Sequence, residues 1–458
     1  MTASSVGTPA PQSVVAAQSP ARRRDLPVDI ELMRILDEKH AWTSIAFTAA
    51  HVGAVFVVDG SDLLTEDGQL DRARILAGLD AAMCRVPDLT KRMLASPLGI
   101  TAPAWVPDER YDVARHVRFM DEVVEFSPQS LVGLAGLDRP ALPIDRPLWQ
   151  FTATRLTSGE VALGVRLHHV MGDAKWLFET LTMITDQTAD AAAEAPAPAR
   201  ASDIARAPRS RWTIPVRAGL AWVREQPSLK AGWHEYWRKP FIKRARRMGG
   251  RNIRPFKEWT IRRKGLAAVA ASSGTVRNVQ VVGGRYTAAA SALGGSVNDL
   301  LVAATTRAVD DDDRGIDLWV PVSRREKGDR VVRNHVRMTR VHAEPGATLG
   351  EVVKGVRTHI RRFVVGIDSA EPPVGRNIGY ATYVPWSTSS RYLLGSPIRQ
   401  FVAVPATDRT DELNTFALSY DGTLSITVSG RAELDVDGSA EKIRRALTGA
   451  ALAGEVPA

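Results

Sequence analysis

The sequence predicts an α+β protein made of two halves that are joined by a long basic linker. Strand-like and helix-like stretches are mixed before residue 188 and again after residue 275, and an Ala/Pro-rich stretch of low complexity, residues 188–203, separates the two sets. The chain of 458 residues is also too long for a single ordinary core. We therefore expect four regions, listed in chain order: a disordered tail at 1–25, an N-terminal half at 26–187, a linker at 188–274 and a C-terminal half at 275–458.

The N-terminal half begins with a predicted helix and then contains several strands. Helical spacing of apolar residues covers 27–40, and the apolar run at 51–60 closes with Asp-Gly, as a buried strand and turn do. Further patterns predict a helix over 70–95 that breaks at Pro87, a strand region at 109–123, and two strands within 145–170. The helical stretch "AKWLFETLTMITDQ" follows them.

The C-terminal half shows the same mixture of elements. "SVNDLLVAATTRAV" predicts a helix at 296–309 with Ser296 or Asn298 as its N-cap. Asp421-Gly422 has the composition of a tight hairpin turn between two strands. The remaining predictions are strands at 317–325, 336–346, 399–407, 414–422 and 423–430, and helices at 349–364 and 435–452.

Composition limits the class of protein. The chain is 44% hydrophobic and 24% charged, as in soluble globular proteins. Cys84 is the only cysteine, so an internal disulfide and a Cys-rich zinc site are both excluded. No apolar run approaches the roughly 18 residues that span a bilayer, and the N-terminal charges follow the small residues instead of preceding them, unlike a secretory signal. We expect a cytoplasmic protein.

Positive charge is concentrated in one segment. Residues 200–264 contain nineteen Lys and Arg but only four acidic residues, and they hold five of the eleven tryptophans. Clusters such as "RKPFIKRARR" at 238–247 could meet CoA phosphates or anionic lipid headgroups, and Trp favours the interfacial depth of a bilayer. A solvated connector is the alternative. No recognised nucleic-acid motif accompanies the charge, so nucleic acid is not an expected partner.

The stretch "LHHVMGDAKW" at 167–176 carries the main chemical signal, because two histidines are adjacent and an aspartate follows. If the strand continues through the motif, alternation turns His169 inward with Leu167 and places His168 on the far side. A neutral imidazole can act as a general base near neutral pH, and Asp173 or the next helix N-terminus could hold it in place. The alternatives are a strand end with two hydrogen-bonded histidines, or a metal site, although no third ligand is apparent locally. A Gly-x-Ser-x-Gly elbow for a Ser–His–Asp hydrolase is absent.

The motif resembles the H-H-x-x-x-D-G motif of the CoA-dependent acyltransferase superfamily, which includes condensation domains of peptide synthetases. Other segments resemble the bacterial wax ester synthase/diacylglycerol acyltransferase family in the same order along the chain: "HVGAVFVVDG", the Pro-Leu-Trp of "RPLWQF", the Asn-Asp of "SVNDLLVA", "VPVSRR" and "LSYDGTLSITVSG". This chain differs from the family pattern at Ala174, where the motif has glycine, and at "TYVPW", 382–386, where the family has Ser-Asn-Val-Pro-Gly.

The resemblance implies two CoA-acyltransferase-like halves with a cleft or tunnel between them, and the following roles. His169 would deprotonate an acceptor alcohol, which attacks the acyl-CoA thioester directly. His168 would support it, and Asp173 would fix the loop. The cleft would be shaped by Pro147, Leu148, Trp149, Asn298 and Asp299. No metal or cofactor is implied, and acyl-CoA is the co-substrate.

The expected function is therefore transfer of a long-chain acyl group from acyl-CoA to a lipid alcohol, either a diacylglycerol or a fatty alcohol, to form triacylglycerol or wax ester. Two alternatives remain open: a tailoring acyltransferase for a hydroxylated specialised metabolite, which Ala174 and "TYVPW" suggest, and a non-catalytic relative that binds a lipid or carrier. The basic segment predicts peripheral association with membranes or lipid droplets.

Overall fold

The computed structural model describes residues 26–33, 51–99, 101–191, 199–221, 275–309, 312–323, 333–365, 375–405, 412–431 and 433–449. The predicted tail at 1–25, the cluster at 238–247 and the tryptophans after Trp212 in the basic segment lie outside these ranges.

Among the described residues, the first part of the chain includes seven strands, four α-helices and a helical segment at 213–221. The strands are β1 (Glu31–Leu32), β2 (His51–Val58), β3 (Lys91–Leu94), β4 (Ala104–Pro107), β5 (Val117–Val124), β6 (Trp149–Leu156) and β7 (Val161–His168). The helices are α1 (Arg72–Cys84), α2 (Leu131–Leu134), α3 (Ala174–Ile184) and α4 (Ala201–Ile204).

The described residues of the second part include eight strands and four α-helices. The strands are β8 (Thr275–Val282), β9 (Ile316–Ser323), β10 (Val336–Ala343), β11 (Arg376–Pro385), β12 (Tyr392–Leu393), β13 (Ser396–Val404), β14 (Leu413–Tyr420) and β15 (Thr423–Gly430). The helices are α5 (Arg285–Ala292), α6 (Val297–Thr306), α7 (Leu349–Val364) and α8 (Val436–Leu447).

A six-stranded sheet with the order β12-β13-β2-β7-β6-β5 organises the first half. Its central strands β2 and β7 are antiparallel and paired along their whole length, from His51 opposite His168 to Val58 opposite Val161. All eight residues of β7 are buried, so both faces of this strand are covered. The central pair of strands therefore has a buried histidine from each strand at the same end: His51 begins β2 and His168 ends β7.

The second half contains a six-stranded sheet with the order β10-β9-β11-β14-β15-β8. The helices α5 to α8 pack against one face of this sheet and share one apolar core with it. The other face meets the first half, because Leu418 and Tyr420 of β14 belong to the core built around β2 and β7. The two halves thus share buried apolar surface, which fixes one against the other.

β13 also ties the halves together. It follows β11 in the chain, yet it pairs with β2 in the first sheet, with Phe401 opposite Phe56. Two strands from the predicted C-terminal half, β12 and β13, therefore complete the N-terminal sheet. The boundaries of the four regions expected from the sequence remain a prediction. The two-halved α+β fold is confirmed. The chain portions that the structure covers include no helix long and apolar enough to span a bilayer.

The helix predicted over 27–40 is wrong where the structure describes it. Glu31 and Leu32 form β1, in which Glu31 pairs with Trp105 of β4. Ile30 is buried in a small cluster with Ala104 and Val106 of β4. This tertiary pairing overrides the helical spacing, which is a weak local preference. Residues 34–40 of that prediction lie outside the described residues.

Candidate active site at the junction of the two halves

The His-His-Asp motif joins β7 to α3 through one turn of 3-10 helix. β7 ends at His168, the turn covers His169–Met171, and α3 begins at Ala174. The alternation assumed from sequence therefore stops one residue before His169. His169 is positioned by the turn and not by the strand.

His168 is buried and held in place from several directions. Its side chain is 3% exposed, and its Nδ1 accepts a hydrogen bond of 3.0 Å from the backbone N–H of Val170. Its own N–H donates to the carbonyl oxygen of Leu148, and its ring lies edge-on to that of His51, with 5.2 Å between centroids. This side chain caps the turn that carries His169.

His169 is half-buried as a residue, and the Nδ1 atom of its ring is buried. Burial lowers the pKa of its imidazole, while its own backbone carbonyl, the Asp173 carboxylate and the side-chain amide of Asn334 act in the opposite direction. The net direction is downward, so the imidazole is neutral at neutral pH. A neutral imidazole is the form that can accept a proton.

Asp173 links the motif to the second half. Its Oδ1 accepts from the N–H of Trp176 at 2.9 Å and so caps α3, while its Oδ2 accepts from the N–H of His335 at 2.7 Å. Its own N–H donates to the carbonyl oxygen of Arg333 at 2.8 Å. Asp173 is 2% exposed. The carboxylate therefore fixes the start of α3 and the segment before β10 together.

The Pro-Leu-Trp segment borders the histidine pair through its backbone. Pro147, Leu148 and Trp149 are all buried, and the Leu148 carbonyl receives the N–H of His168. The Trp149 indole donates to the carbonyl oxygen of Leu89 at 2.7 Å and stacks on His116. Trp149 is thus a core residue that positions β6 beside the end of β7.

Asn298 and Asp299 lie at the start of α6 in the second half. Asp299 forms a capping box with Ser296, which confirms Ser296 as the N-cap. The Asn298 side-chain oxygen accepts from the N–H of Tyr383 at 3.2 Å. In the described part of the chain, their bonds connect α6 to β11 and to its own cap instead of to the histidine pair.

The segment "TYVPW", which differs from the family pattern, places the large ring of Trp386 between the halves. Trp386 packs against Phe56, Phe178, Phe401 and Tyr420, with centroid distances from 4.8 to 6.4 Å. Its indole N–H donates to Thr182 of α3 at 3.1 Å. The segment after β11 therefore closes onto the helix that Asp173 caps.

Ala174 is the other position at which this chain differs from the family pattern, and alanine is compatible with the backbone conformation there. It is the first residue of α3 and has right-handed helical geometry. The described non-glycine residues with positive φ are Leu98, Leu394 and Asp421. The glycine of the family motif is therefore not required for backbone conformation at this position in this chain.

Cys84 is unsuited to act as a nucleophile. It is 4% exposed, and burial followed by the Asp80 carboxylate raises the pKa of its thiol to about 12. The reactive form of cysteine is the thiolate, which is scarce at neutral pH under these conditions. Over the ranges described, no group of three or more His, Cys, Asp or Glu side chains is arranged to hold a metal ion.

Three residues of the site were missed in the sequence: Arg333, Asn334 and His335. They precede β10 and contact the motif from the other half of the chain. The available signal was a run of three polar residues immediately before a predicted strand. The structure buries two of them, Arg333 and Asn334. His51, which faces His168, was also missed, and its signal was a histidine at the first position of a buried strand.

The fold and the junction histidine define the class: a protein of two CoA-acyltransferase-like halves. Solved structures with this fold include a wax ester synthase/diacylglycerol acyltransferase from Marinobacter aquaeolei VT8, with TM-score 0.55, 15% identity, and coverage of 93% of this chain and 100% of that chain. The first condensation domain of the calcium-dependent antibiotic synthetase, solved with a substrate analogue, has TM-score 0.56, 15% identity, and coverage of 92% and 96%. The starter condensation domain of rhizomide synthetase, in a double-mutant form solved with C8-CoA and Leu-SNAC, has TM-score 0.54, 12% identity, and coverage of 91% and 93%.

The chain belongs to the wax ester synthase/diacylglycerol acyltransferase family, whose catalytic-domain profile matches residues 33–301, more than half of its length. Two curated Mycobacterium tuberculosis proteins, from strains CDC 1551 and H37Rv, are 35% identical to it over 112 residues. Both are provisionally named as diacylglycerol O-acyltransferases. The matched stretch spans 23% of this chain and 23% of each relative.

Proposed function

We propose that this protein is an acyl-CoA-dependent O-acyltransferase whose general base is His169. The observation that carries the proposal is the state of this imidazole: it is half-buried, neutral because burial lowers its pKa, and carried on a turn that His168 and Asp173 hold. Family membership supplies the reaction class. The contrast in exposure favours His169 over His168, whose Nδ1 is already engaged in the turn.

The reaction is a direct transfer. The imidazole of His169 takes the proton of the acceptor hydroxyl as the oxygen attacks the carbonyl carbon of the thioester. The tetrahedral intermediate collapses, the C–S bond breaks, and the CoA thiolate receives the proton from the imidazolium. The products are an ester and free CoA. No covalent acyl-enzyme is formed, in agreement with the buried thiol of Cys84.

The proposed acceptor is a lipid alcohol, a diacylglycerol or a fatty alcohol, and the proposed donor is a long-chain acyl-CoA. Support comes from the family and from the apolar side chains around the junction, among them Phe56, Phe178 and Phe401. Trp386 favours the second candidate, a tailoring acyltransferase for a hydroxylated metabolite, because its ring occupies space between the halves.

The test is turnover of long-chain acyl-CoA by the purified protein with a panel of alcohols, with products identified by mass spectrometry. The panel contains a diacylglycerol, a fatty alcohol and hydroxylated polar molecules. Ester formation with the first two supports the lipid acceptor, and ester formation only with the third supports the tailoring enzyme. Binding of acyl-CoA without any ester or CoA release would indicate a non-catalytic relative and refute the proposal.

Peripheral binding to anionic lipid is also proposed, and it rests on the helical segment at 213–221. Trp212 immediately precedes this segment, and Val216 and Leu220 follow it at intervals of four residues, so the three side chains share one side; they are 54%, 60% and 55% exposed. Ile214 is buried and anchors the segment to the small cluster with β4. The exposed basic neighbours are Arg209, Arg211 and Arg217.

An exposed apolar stripe with basic neighbours is the pattern of an interfacial helix. Each basic residue near an anionic surface contributes about 1 kcal/mol. Replacing Trp212, Val216 and Leu220 together with serine should reduce flotation with phosphatidylserine vesicles, whereas the matched replacement of exposed Leu98, Val123 and Val282 should not. Equal flotation of the two triple variants would refute this surface.

A further inference from the structure

Three arginines, Arg118, Arg139 and Arg166, form a cluster on one face of the first sheet. Arg118 of β5 is the register partner of Thr152 on β6, and Arg166 of β7 is the register partner of Gln150. Positions 150 and 152 are on the same face of β6 because side chains alternate along a strand. Arg139 comes from the loop after α2 and donates to the Thr152 hydroxyl at 3.0 Å. Two strands and a loop therefore bring three cationic side chains to one part of β6.

Arg166 forms the buried floor of the arginine cluster. It is 6% exposed, and its guanidinium donates only to uncharged oxygens. Gln150 Oε1 accepts from Nε at 3.1 Å and from Nη2 at 2.7 Å, while the carbonyl oxygens of Gly136 and Pro140 accept from Nη1 at 3.1 and 2.9 Å. In the part of the chain that the structure describes, no carboxylate forms an ion pair with this guanidinium. A buried cation without a counter-charge is costly, and an anion nearby reduces that cost.

Arg139 is half-buried and has hydrogen-bond donors to spare. Its Nη1 donates to the Thr152 hydroxyl, and its Nη2 lies 3.9 Å from the sulfur of Met120, which is a weak acceptor. The carboxylate of Asp138 is 3.9 Å from Nε, and its side chain is 50% exposed. Since each terminal nitrogen carries two N–H groups, at least one on Nη1 and one on Nη2 remains available to a ligand. The Thr152 hydroxyl accepts from Arg139 and keeps its own O–H for donation.

The groups with available donors border one small space above Gly136. A Cβ built on this glycine would lie 3.5 Å from Cδ of Arg166, 3.6 Å from Nη1 of Arg139 and 3.7 Å from the Thr152 hydroxyl, which are ordinary contact distances. Gly136 has a φ of +67°, a conformation that favours glycine, so no side chain enters the space from the loop. The two guanidinium side chains and the hydroxyl therefore surround a position that no side chain occupies.

The positive charges of the arginine cluster act on one another. Burial, followed by the charge of Arg139, lowers the pKa of Arg166 to about 10. Burial, followed by the charge of Arg118, which is exposed, lowers the pKa of Arg139 too. Asp138 is the carboxylate that acts in the opposite direction on both groups. Three guanidinium cations and one carboxylate leave two positive charges without compensation.

We propose that the arginine cluster binds a phosphate group, either inorganic phosphate or a phosphate monoester. Arginine is suited to this ligand because its planar fork forms paired, charge-assisted hydrogen bonds with phosphate oxygens. The dianion matches the two uncompensated positive charges, whereas a carboxylate would match only one. Its oxygens lie above Gly136, with Arg166 beneath them and with Arg139 and Arg118 on the side that opens to solvent. The site is separate from His169, so the proposal does not depend on acyl transfer.

A bound phosphate should stabilise the loop after α2, residues 135–142. Arg166 already holds two carbonyl oxygens of this loop, and at the end of the loop the N–H of Leu142 donates to Nε2 of His51 at 3.2 Å. An anion between Arg139 and Arg166 replaces their repulsion with attraction and bonds the loop to the sheet. Because the ligand binds the folded loop and not the open one, its concentration shifts the opening equilibrium of the loop.

Hydrogen exchange followed by mass spectrometry gives a local readout of the site. Inorganic phosphate should slow the exchange of amides in 135–142 in the wild type, relative to chloride at the same ionic strength. Phosphate bound by the basic segment at 200–264 would not protect this loop, so the readout is specific to it. Arg139→Gln should weaken the phosphate affinity by about tenfold or more, as the loss of a hydrogen bond to a charged group does. Equal protection in Arg139→Gln and the wild type would overturn the proposal.

Arg155 on β6 offers a matched control. Its guanidinium also donates to backbone carbonyl oxygens, those of Gly68 at 3.1 Å and Asp121 at 2.9 Å, but its position is on the opposite face of the strand. Arg155→Gln removes the same charge and should leave the protection by phosphate intact. Asp138→Asn should have the opposite effect to Arg139→Gln, because it removes the competing carboxylate and so tightens phosphate binding. Lost protection in Arg155→Gln, or weaker binding in Asp138→Asn, would refute the site.

The same exchange experiment identifies the source of the phosphate. The ligands compared are inorganic phosphate, CoA, dephospho-CoA (which lacks the 3′-phosphate) and vesicles of phosphatidic acid or phosphatidylcholine. Protection of 135–142 by CoA but not by dephospho-CoA assigns the site to the nucleotide phosphate, and protection by phosphatidic acid alone assigns it to a lipid headgroup. Protection by inorganic phosphate alone assigns it to the free ion. If none of these ligands protects the loop, the proposal is wrong, whether or not the protein transfers acyl groups.

Discussion

Replacing Asp173 with alanine should destabilise the protein by an amount that its contacts determine. Loss of the cap on α3 costs about 0.5–2 kcal/mol, and leaving the His335 N–H without its carboxylate acceptor costs about 1–3 kcal/mol. The total is about 1.5–5 kcal/mol. Asparagine is as good an N-cap as aspartate, but it has one acceptor oxygen, so Asp173→Asn should lose only the second contribution, about 1–3 kcal/mol.

Asp435, the N-cap of α8, provides the control. Its side chain accepts from the N–H of Gly438 at 2.8 Å and is exposed, so Asp435→Ala should lose only a cap, about 0.5–2 kcal/mol. The free energy of unfolding of the four proteins is measured by urea titration with circular dichroism. If Asp173→Ala is no less stable than Asp435→Ala and yet loses transfer, the carboxylate acts on the chemistry, and the structural explanation is refuted.

Three further predictions concern the base, the thiol and the packing of β7. Because burial lowers the pKa of His169, kcat should reach half its maximum at a pH below the usual histidine value of 6.5 and stay level above it; a midpoint above that value would contradict the assignment. Cys84→Ala should remain active and initial rates should show a ternary complex, whereas an acyl adduct on the protein would contradict direct transfer. A Cβ on Gly164 would lie 1.8 Å from the carbonyl oxygen of Leu134, so Gly164→Ala should unfold at clearly lower urea than Gly355→Ala, whose Cβ meets nothing within 4 Å; equal midpoints would refute the close approach.

Local signals in the sequence predicted the elements that depend on local chemistry. The capped helix α6 begins after Ser296, because the serine and Asp299 satisfy each other's backbone N–H groups. Asp421 and Gly422 both have positive φ and join β14 to β15, as a tight hairpin turn requires. Such features are set by neighbours in the chain, so a single sequence contains the information.

Features that depend on distant partners could not be predicted in the same way. The apolar pattern of β13 indicates a buried strand, but it does not indicate that the strand crosses to pair with β2. The parity argument for His169 failed because β7 ends at His168, where the imidazole itself caps the following turn. Arg333 meets Glu31 although 302 positions separate them in the sequence, and no periodic pattern marks a contact of that kind.

The sequence predicted that the histidine pair forms a site, but it did not predict the different surroundings of the two side chains. Sequence alternation and the structure both place the two side chains in different surroundings. The alternation argument assumed a strand that continues through the motif, whereas in the structure β7 ends at His168 and His169 lies in the turn that follows. The structure buries His168 against His51 and leaves His169 half-buried beside Asn334. The expected role of the Pro-Leu-Trp and Asn-Asp segments in shaping the cleft remains a prediction. The hydrogen bonds of these segments hold β6 beside β7 and α6 beside β11.

The most direct test of the central claim is single-turnover transfer from a labelled long-chain acyl-CoA to an alcohol that the wild type uses, with His169→Ala compared with the wild type. Acyl-CoA affinity is measured on the same samples by calorimetry. Removing a general base should slow transfer by about 10²–10⁴-fold, with folding and acyl-CoA affinity unchanged. Transfer by His169→Ala at a rate near that of the wild type would contradict the claim that His169 takes the proton.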